Sequence, residues 1–474
     1  MLTYFIKLIL IFLMIFTPIA FGSMDYWAFS LMELGILFIL ILGTIHSLIR
    51  KTPDSPRLHA IRIQPSAVPM VCLGLFLSLL LLQMLPLSSG FLRIVSPRTV
   101  ALRLALSPFG SDLSALSFQP SPSSFPLSFV PFATQVEFFK WFALTAFFLF
   151  LLHWRFPDKG LVNFIPVVMF VGIAESLYGM VEFFSGHRHI LYLEASSFVT
   201  SVTGTFINRN YLAGYLLIVI PLVTGYLFYR ESFQKGPFTG WRHRLSSVDG
   251  KTYFIAFSVI VMMVALLFTA SRMGILSLLF SFSLIAFFFR DPRKGEGISK
   301  PAALILGLSL LWAAGIGLDA VISGFFGVLE DFEIRGAIWS NTLQIFIDFP
   351  VLGTGLGTFA HVFPMYRSFH ISGLVTHAEN DFLQLASEVG LVGAGLLLVA
   401  FLFLIYRAFS RVRTLPYGDP ERYLGIGGLV GIVALMFHSI VERNIQVPAN
   451  AFLFAYLLAM VLRVGFAGRE ERVG

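Results

Sequence analysis

Hydrophobic residues dominate the chain in long blocks that short polar segments separate. Blocks such as 8–22, 27–49 and 67–87 are each long enough to cross the roughly 30 Å hydrocarbon core of a bilayer as a helix. The pattern therefore predicts an all-α polytopic membrane protein with about twelve spans, forming a single integral membrane domain over residues 1–474. We place the spans near residues 5–22, 27–49, 67–87, 136–153, 161–184, 210–229, 253–270, 273–289, 301–319, 385–406, 424–441 and 447–463.

The composition agrees with this pattern and removes several functional classes. Hydrophobic residues make up 57% of the chain and charged residues only 12%, whereas a soluble domain carries about 25% charged residues. The single cysteine, Cys72, lies in the third span and excludes an intramolecular disulfide and a cysteine-based metal site. The net charge of +7 is spread over short loops, which indicates topology signals and not a nucleic-acid surface.

The positions of the basic residues predict the orientation. Most of the 33 Lys and Arg residues fall in segments that share one side of the membrane, including 50–62, 230–251, 290–300 and 407–422. Because basic loops stay in the cytoplasm, both termini are expected there. The long segments 88–135 and 320–384 then lie on the outer side.

These two outer segments differ in character. Segment 88–135 is rich in Ser and Pro, which predicts an extended or partly ordered loop without assigned chemistry. Segment 320–384 carries many charged residues and histidines, and loops of this length tend to be functional. Within it, a helix lying at the membrane surface is predicted to begin at Arg335. Its apolar stripe comprises Ile338, Leu343, Phe346 and Ile347.

Two arginines are candidates for binding an anion. Arg272 lies at the outer tip of the hairpin formed by the seventh and eighth spans, and Arg335 opens the predicted surface helix. An arginine at a helix end is either an interfacial anchor or a fixed cation that faces an anionic substrate. The planar guanidinium suits a phosphate group, because it stays charged and donates two parallel hydrogen bonds.

The end of the large loop holds a glycine run and a histidine. Gly353, Gly355 and Gly357 predict a tight turn at the membrane surface; no strand precedes them and no Lys-Ser/Thr pair follows, so they do not form a nucleotide-binding loop. Asp381 and Gln384 have the spacing of a capping box, which predicts that the tenth span begins there. His377 would then lie just above that helix, as a surface residue or as an acid–base group.

Carboxylates and glycines inside the spans raise further possibilities. Glu175 and Glu182 share one face of the fifth span. A carboxylate in lipid is costly, so Glu175 either pairs with an Arg or Lys of another helix or belongs to a proton or ion path. The second possibility is the main feature that favours a transporter of a small anion or solute. Gly390, Gly393 and Gly395 predict close helix packing.

Taken together, several segments resemble the O-antigen ligase family, which is similar in architecture to C-type glycosyltransferases. The resemblance covers residues 165–460, and its combination of motifs is specific although each motif alone is weak. The matching runs are GTFINRNYLAG at 204–214, TASR at 269–272, Arg335 followed by PVLGTGLGTF at 350–359, HAENDFLQLASEVGLVG at 377–393, and HSIVE at 438–442.

The resemblance implies a glycosyltransferase of the bacterial inner (cytoplasmic) membrane that moves a glycan from undecaprenyl diphosphate to an acceptor hydroxyl on the periplasmic side. Arg272 and Arg335 would contact the diphosphate, and His377 would act near a glycan or lipid acceptor. A diphosphate leaves without a proton at neutral pH, so no metal ion or other cofactor is required. The residues that the resemblance places at the substrate are Asn208, Arg209, Asn210, Glu379, Asn380, His438 and Glu442.

Three positions depart from the common family pattern. Arg209 replaces a frequent Pro, Glu379 replaces a frequent second His, and Glu442 replaces a frequent Asp. In these features the chain is similar to members associated with exopolysaccharide, so ligase and polymerase activity both stay open. The alternative function is a polytopic transporter, which is expected to show internal repeats that this sequence lacks.

Overall fold

The computed structural model describes residues 1–49, 67–105, 124–154, 156, 160–186, 189–194, 201–232, 249–290, 328–370 and 373–464. Helices account for most of these residues, and two short antiparallel strand pairs complete the regular structure. The helices are α1 (Leu2–Ile19), α2 (Tyr26–Ile49), α3 (Ala67–Met84), α4 (Ser89–Val95), α5 (Pro97–Ala105), α6 (Pro131–His153), α7 (Ile165–Ser185), α8 (Arg209–Glu231), α9 (Gly250–Phe268), α10 (Arg272–Phe289), α11 (Val328–Asp348), α12 (Phe359–Val362), α13 (Asp381–Thr414), α14 (Pro420–His438) and α15 (Pro448–Arg463). The strands are β1 (Pro86–Ser88) paired with β2 (Ser124–Pro126), and β3 (His189–Ile190) paired with β4 (Leu193–Glu194).

Ten of the described helices are long and apolar enough to cross a membrane, which confirms the predicted fold class. These are α1, α2, α3, α6, α7 together with the 3-10 turn before it, α8, α9, α10, α13 and α14. The shorter apolar helix α15 coincides with the twelfth predicted span. The ninth predicted span, 301–319, lies outside the described residues.

The chain forms two compact units. Unit 1 contains residues 1–64, 144–327 and 405–474, and unit 2 contains residues 65–143 and 328–404. In unit 1 the central helix is α8, which is buried on nearly all sides and packs against α7, α9, α10, α14 and α15. Small residues allow this close approach: a Cβ on Gly225 of α8 would lie only 3.0 Å from the Cα of Gly427 in α14.

In unit 2, the described parts of the Ser/Pro-rich outer segment contain regular structure, whereas residues 106–123 of that segment lie outside the described residues. Residues 89–105 form the helices α4 and α5, and β1 pairs with β2. The Ser88 hydroxyl accepts a hydrogen bond from Phe91 N and caps α4, while Pro97 opens α5, where a proline loses no hydrogen bond. The serines and prolines that predicted irregular backbone therefore include residues that start helices.

The surface helix of unit 2 also differs from its prediction. Helix α11 begins at Val328, so Arg335 lies inside it and not at its start. Its buried face includes Ile338 and Ile345, whereas Leu343 and Ile347 are exposed by 47% and 56%. The predicted stripe thus combined residues of two faces, because apolar side chains occur on both sides of this helix.

Helix α13 is broken at Gly390, where φ is +65° and ψ is −173°. The close approach predicted for this glycine is present, because an added Cβ would lie 2.3 Å from Val351 C, but Gly390 packs against a turn and also breaks its own helix. At the break, Leu391 N donates to Pro350 O over 2.8 Å, and Gly355 N donates to Glu388 O over 2.9 Å. The predicted tight turn of glycines is present, with positive φ at Gly353, Gly355 and Gly357. The backbone N–H and C=O groups left unpaired at the break in α13 thus form hydrogen bonds with the backbone of this turn and its neighbour Pro350.

Candidate active site

In unit 1, the beginning of α8 is attached to the loop between α14 and α15. The side-chain oxygen of Asn208 caps α8 by accepting a hydrogen bond from Asn210 N over 2.8 Å. The side-chain amide of Asn210 donates to Glu442 Oε2 over 2.7 Å, and both residues are buried. Three predicted substrate-binding residues, Asn208, Asn210 and Glu442, are therefore brought together.

Arg272 is the first residue of α10. Ser271 precedes it as the N-cap, with its hydroxyl accepting a hydrogen bond from Gly274 N over 3.2 Å. The turn before the cap is tight, since Ala270 has a φ of +51°. A helix N-terminus carries partial positive charge and attracts anions. The partly buried guanidinium of Arg272 adds a full charge at the same point.

His438 lies next to this cap and is fully buried. Its Nδ1 is 3.0 Å from the side-chain nitrogen of Asn444, and its Nε2 is 3.4 Å from the hydroxyl of Ser271. Because the Asn444 amide nitrogen donates, we assign the ring proton to Nε2, which donates toward Ser271. His438 thus orients the cap of α10, as a neutral ring with both nitrogens in use.

Two sets of hydrogen bonds meet at the loop after α14, and an arginine adjoins each of them in the sequence. We call the following six residues the arginine end of unit 1: Asn208, Asn210 and Glu442 of one set, and Ser271, His438 and Asn444 of the other. Arg209 stands between the two asparagines that open α8, and Arg272 follows Ser271. Arg443, only 8% exposed, stands between Glu442 and Asn444. Arg443 was not among the predicted site residues, because the family motif HSIVE ends at Glu442.

Glu175 holds the loop that leads into α8. Its two carboxylate oxygens lie 2.8 Å from the hydroxyl and from the backbone nitrogen of Thr205. The Thr205 hydroxyl is also 2.9 Å from Pro18 O. This contact with a threonine replaces the predicted pairing with an Arg or Lys. Gly204 is required beside it, because φ is +59° and a Cβ would lie 2.7 Å from Glu175 Oε2. The carboxylate that favoured a transporter therefore has a local role in positioning Asn208.

In unit 2, the backbone next to His377 is held from two sides. Ala378 N donates to Gln384 Oε1 over 3.0 Å, and Ala378 O accepts from Trp339 Nε1 over 3.0 Å. His377 itself is partly buried: its Nδ1 atom is buried, and part of the residue is exposed. Its environment combines a fixed backbone with partial exposure, as a catalytic group requires.

The helix after His377 begins with a different cap from the one predicted. Asn380 Oδ1 accepts from Leu383 N over 2.9 Å and caps α13, and Gln384 turns back to Ala378 N. Asp381 is therefore the first residue of the helix and not its cap, so the predicted capping box is wrong by one residue. Glu379 has a φ of +50°, a conformation that is uncommon for residues other than glycine.

Arg335 lies in the same unit, on α11. It precedes Trp339 by about one helical turn, so both side chains project from one side of the helix. Trp339 contacts Ala378, and α11 shares a hydrophobic cluster with Ala378. Unit 2 thus positions Arg335 on the helix that supports the His377 loop.

Arg98 of the first outer segment and Tyr366 of the second both bind the end of α11. The Arg98 guanidinium lies 3.2 Å from the Asp348 carboxylate at the end of α11, and the Tyr366 hydroxyl donates to Asp348 over 2.7 Å. Burial raises the pKa of Tyr366 to about 12, and its hydrogen bond to Asp348 acts in the same direction. Tyr366 therefore stays protonated and keeps this bond throughout the neutral range.

Among the described residues, no group of three or more His, Cys, Asp or Glu side chains is arranged to hold a metal ion. Unit 1 provides Arg209, Arg272 and Arg443 close to helix ends, and guanidinium groups suit a phosphate. Unit 2 provides the partly buried His377, and an imidazole can accept a proton.

Fold and site together define a multi-pass helical membrane protein with an arginine-rich polar site in unit 1 and a histidine site in unit 2. Residues 257–398 match the sequence model of the family described as O-antigen ligase. This match confirms the predicted resemblance to the O-antigen ligase family, and it supports O-antigen ligase or polymerase-type glycan transfer as the general activity. The matched segment includes Arg272, Arg335 and His377. No curated protein matches the chain.

Proposed function

We propose that this protein transfers a glycan from undecaprenyl diphosphate to an acceptor hydroxyl on the periplasmic face of the bacterial inner membrane. The acceptor is either another glycan, as in a polymerase of exopolysaccharide type, or a lipid, as in a ligase. The match to the O-antigen ligase family supports the reaction class, and the three residues that the proposal uses all lie in the matched segment.

The chemistry requires fixed positive charge more than it requires acid catalysis. The acceptor oxygen attacks the anomeric carbon, and the bond from that carbon to the phosphate oxygen breaks with its electron pair going to the diphosphate. The leaving group gains negative charge in the transition state, and pre-positioned cations stabilise that charge without reorganisation. Arg272 and Arg335 are assigned to the diphosphate.

One observation carries this proposal. Arg272 is the first residue of α10, and the residue that caps this helix, Ser271, contacts the buried His438. The helix N-terminus and the guanidinium provide two independent contributions that favour a phosphate. An arginine that only anchored a helix in the interface would not need a buried network to fix the residue beside it.

The acceptor hydroxyl must lose its proton as it attacks. His377 is assigned as the group that takes this proton and passes it to solvent, because a neutral imidazole accepts a proton near neutral pH. The held backbone at Ala378 supports this assignment, since it limits the positions that His377 can adopt.

The proposal requires the arginine end of unit 1 to face the periplasm. Hydrogen bonds join Asn210 to Glu442 and Ser271 to His438, so the starts of α8 and α10 lie at the same end of unit 1 as the end of α14. The distribution of basic residues predicts that this end is the outer one. Arg290, at the other end of α10, lies about 27 Å from Arg272 along the helix, close to the thickness of the hydrocarbon core.

A reporter fused after Gly250 should be cytoplasmic and one inserted at Gly373 periplasmic. The opposite result at Gly373 would contradict the proposal.

The reaction is tested with purified protein in liposomes that contain the lipid-diphosphate glycan. Transferase activity predicts that undecaprenyl diphosphate and an elongated or transferred glycan appear together and in equal amounts. The length of the product separates a polymerase from a ligase. Movement of an intact glycan or solute across the bilayer, without release of the diphosphate carrier, would instead support a transporter.

A further inference from the structure

The residue after His377 is fixed on both of its backbone polar groups by side chains. Gln384 Oε1 accepts from Ala378 N, and Trp339 Nε1 donates to Ala378 O, each over 3.0 Å. Ala378 is fully buried. Since backbone groups are usually satisfied by other backbone groups, the use of two side chains from α11 and α13 at one residue is a specific arrangement.

The orientation of the Gln384 side chain is determined by its two partners. Its oxygen faces an N–H group, and its nitrogen lies 3.5 Å from Glu388 Oε1. Ala378 N can only donate, and the carboxylate of Glu388 is an acceptor. Only a side chain with one acceptor and one donor, at these positions, serves both partners, so neither Glu nor Leu is equivalent to Gln384.

Glu388 links this contact to the glycine turn. Its Oε1 atom also accepts a hydrogen bond from Phe359 N over 2.9 Å, at the end of that turn. Glu137 of α6 interacts with Glu388 electrostatically, and Lys140 lies 2.6 Å from Glu137 and balances its charge. All these residues are largely buried in unit 2. A single carboxylate therefore ties the glycine turn to the backbone beside His377.

We propose that Gln384 is the positioning residue of His377, with Trp339 as its counterpart on the opposite side of Ala378. The role rests on the proposed function, in which His377 takes the proton of the acceptor hydroxyl. Gln384 fixes the peptide group that joins His377 to Ala378, from which the histidine side chain projects. The left-handed conformation of Glu379 shows that this backbone is held in an uncommon state.

Gln384→Glu tests the role because it preserves shape and reverses hydrogen-bond polarity. The new carboxylate faces Glu388, with Glu137, Lys140 and His377 as the other titratable groups of the surroundings. Once the pair loses its shared proton at high pH, the two carboxylates repel each other, and we expect turnover there to fall by about 10- to 100-fold, as for a small displacement of a catalytic group. At pH 5.5 a shared proton restores the donor, so the ratio of variant to wild-type turnover should rise as pH falls.

Three further variants separate positioning from folding. Trp339→Phe keeps the ring and removes only the donor to Ala378 O, so it should lower turnover without a pH-dependent recovery. Gln135→Glu, at an exposed position of α6, is the matched control and should behave as wild type. Gln384→Leu should increase hydrogen exchange of the amides in 376–380, which mass spectrometry measures without any substrate. The KM for the lipid carrier should stay within about two-fold in all four variants.

The outcomes distinguish this proposal from the proposed function. Faster exchange in Gln384→Leu together with lower turnover and the pH-dependent recovery of Gln384→Glu supports the positioning role. Near-native turnover of Gln384→Leu, whatever the exchange, overturns it. Faster exchange with no transfer by the wild type would overturn the proposed function, and with it the role of Gln384 in transfer, while the loop contact would stand.

Discussion

Ser271, which caps the helix beginning at Arg272, lies 3.4 Å from Nε2 of the fully buried His438. The contact connects the first turn of α10 to the end of α14. It makes the position of Arg272 depend on a residue that is far away in the sequence and does not itself reach solvent.

Replacing the cap should weaken the interaction of Arg272 with the diphosphate. Ser271→Ala removes the hydroxyl that accepts from Gly274 N and faces His438, so the helix should lose about 1 kcal/mol. We expect the KM for the lipid carrier to rise several-fold. Ser271→Thr keeps the hydroxyl and should restore most of the affinity. A KM unchanged in Ser271→Ala would show that the cap does not position Arg272.

The hydrogen bonds of Glu175 predict a specific tolerance. The Thr205 hydroxyl has one hydrogen and lies within reach of both Pro18 O and Glu175 Oε1, so a protonated Glu175 that donates to Thr205 satisfies every group. Glu175→Gln reproduces this pattern and should keep wild-type stability and transfer. Glu175→Leu should lose about 1–3 kcal/mol of stability because Thr205 N is left unsatisfied.

Thermal unfolding and the transfer assay together check this prediction. Loss of activity in a stably folded Glu175→Gln protein would show that the carboxylate must titrate. That result would support the alternative interpretation, in which Glu175 belongs to a proton path.

The break in α13 gives a sharp test of the fold of unit 2. Gly390→Ala should destabilise the protein by more than about 3 kcal/mol, because its φ and ψ are nearly restricted to glycine and the new Cβ would overlap the backbone of Val351. Gly395→Ala is the matched control in the same helix, with nothing within 4 Å of the added Cβ. It should be neutral or stabilise slightly. Equal unfolding temperatures for the two variants would contradict the broken helix.

The sequence predicted the spans well because their length and their flanking charges have a direct physical cause. It also singled out Arg272 as a candidate, since a charged residue at the tip of a short apolar hairpin is conspicuous; its role in the site stays a prediction. The close packing predicted for Gly390 is present, but the helix break at this residue was not predicted, because a glycine within an apolar run is compatible with packing alone. The break follows from backbone partners at Pro350 and Glu388, which are far from each other in the sequence.

The details of the candidate site depend on similar long-range contacts. Asn380 and Asp381 are both good capping residues, and their neighbours decide which one caps. Gln384 was predicted to act in a capping box, whereas its buried environment directs it to Ala378. Arg443 was missed because nothing in the sequence shows that Glu442 reaches Asn210. Hydropathy and local motifs contain no information about such pairs.

His377 has a distinct pH signature in this account. His377→Ala should lower turnover by about 10²-fold or more without weakening carrier binding. Wild-type activity should fall as pH drops below about 6.5, where histidine becomes protonated. His377→Gln keeps a hydrogen-bonding group that does not titrate. Near-native turnover in His377→Gln, with a flat wild-type profile between about pH 5.5 and 8, would mean that His377 orients the acceptor and is not the base.

In the proposed reaction, Arg272 stabilises a departing diphosphate. The rate at which paired arginine variants release undecaprenyl diphosphate measures this role. Arg272→Ala should reduce the rate by about 10²- to 10³-fold, and Arg272→Lys should recover only part of it. Arg290→Ala, at the other end of the same helix, should release carrier at the wild-type rate. If Arg272→Ala releases undecaprenyl diphosphate as fast as Arg290→Ala does, Arg272 is an interfacial anchor and the account of the site is wrong.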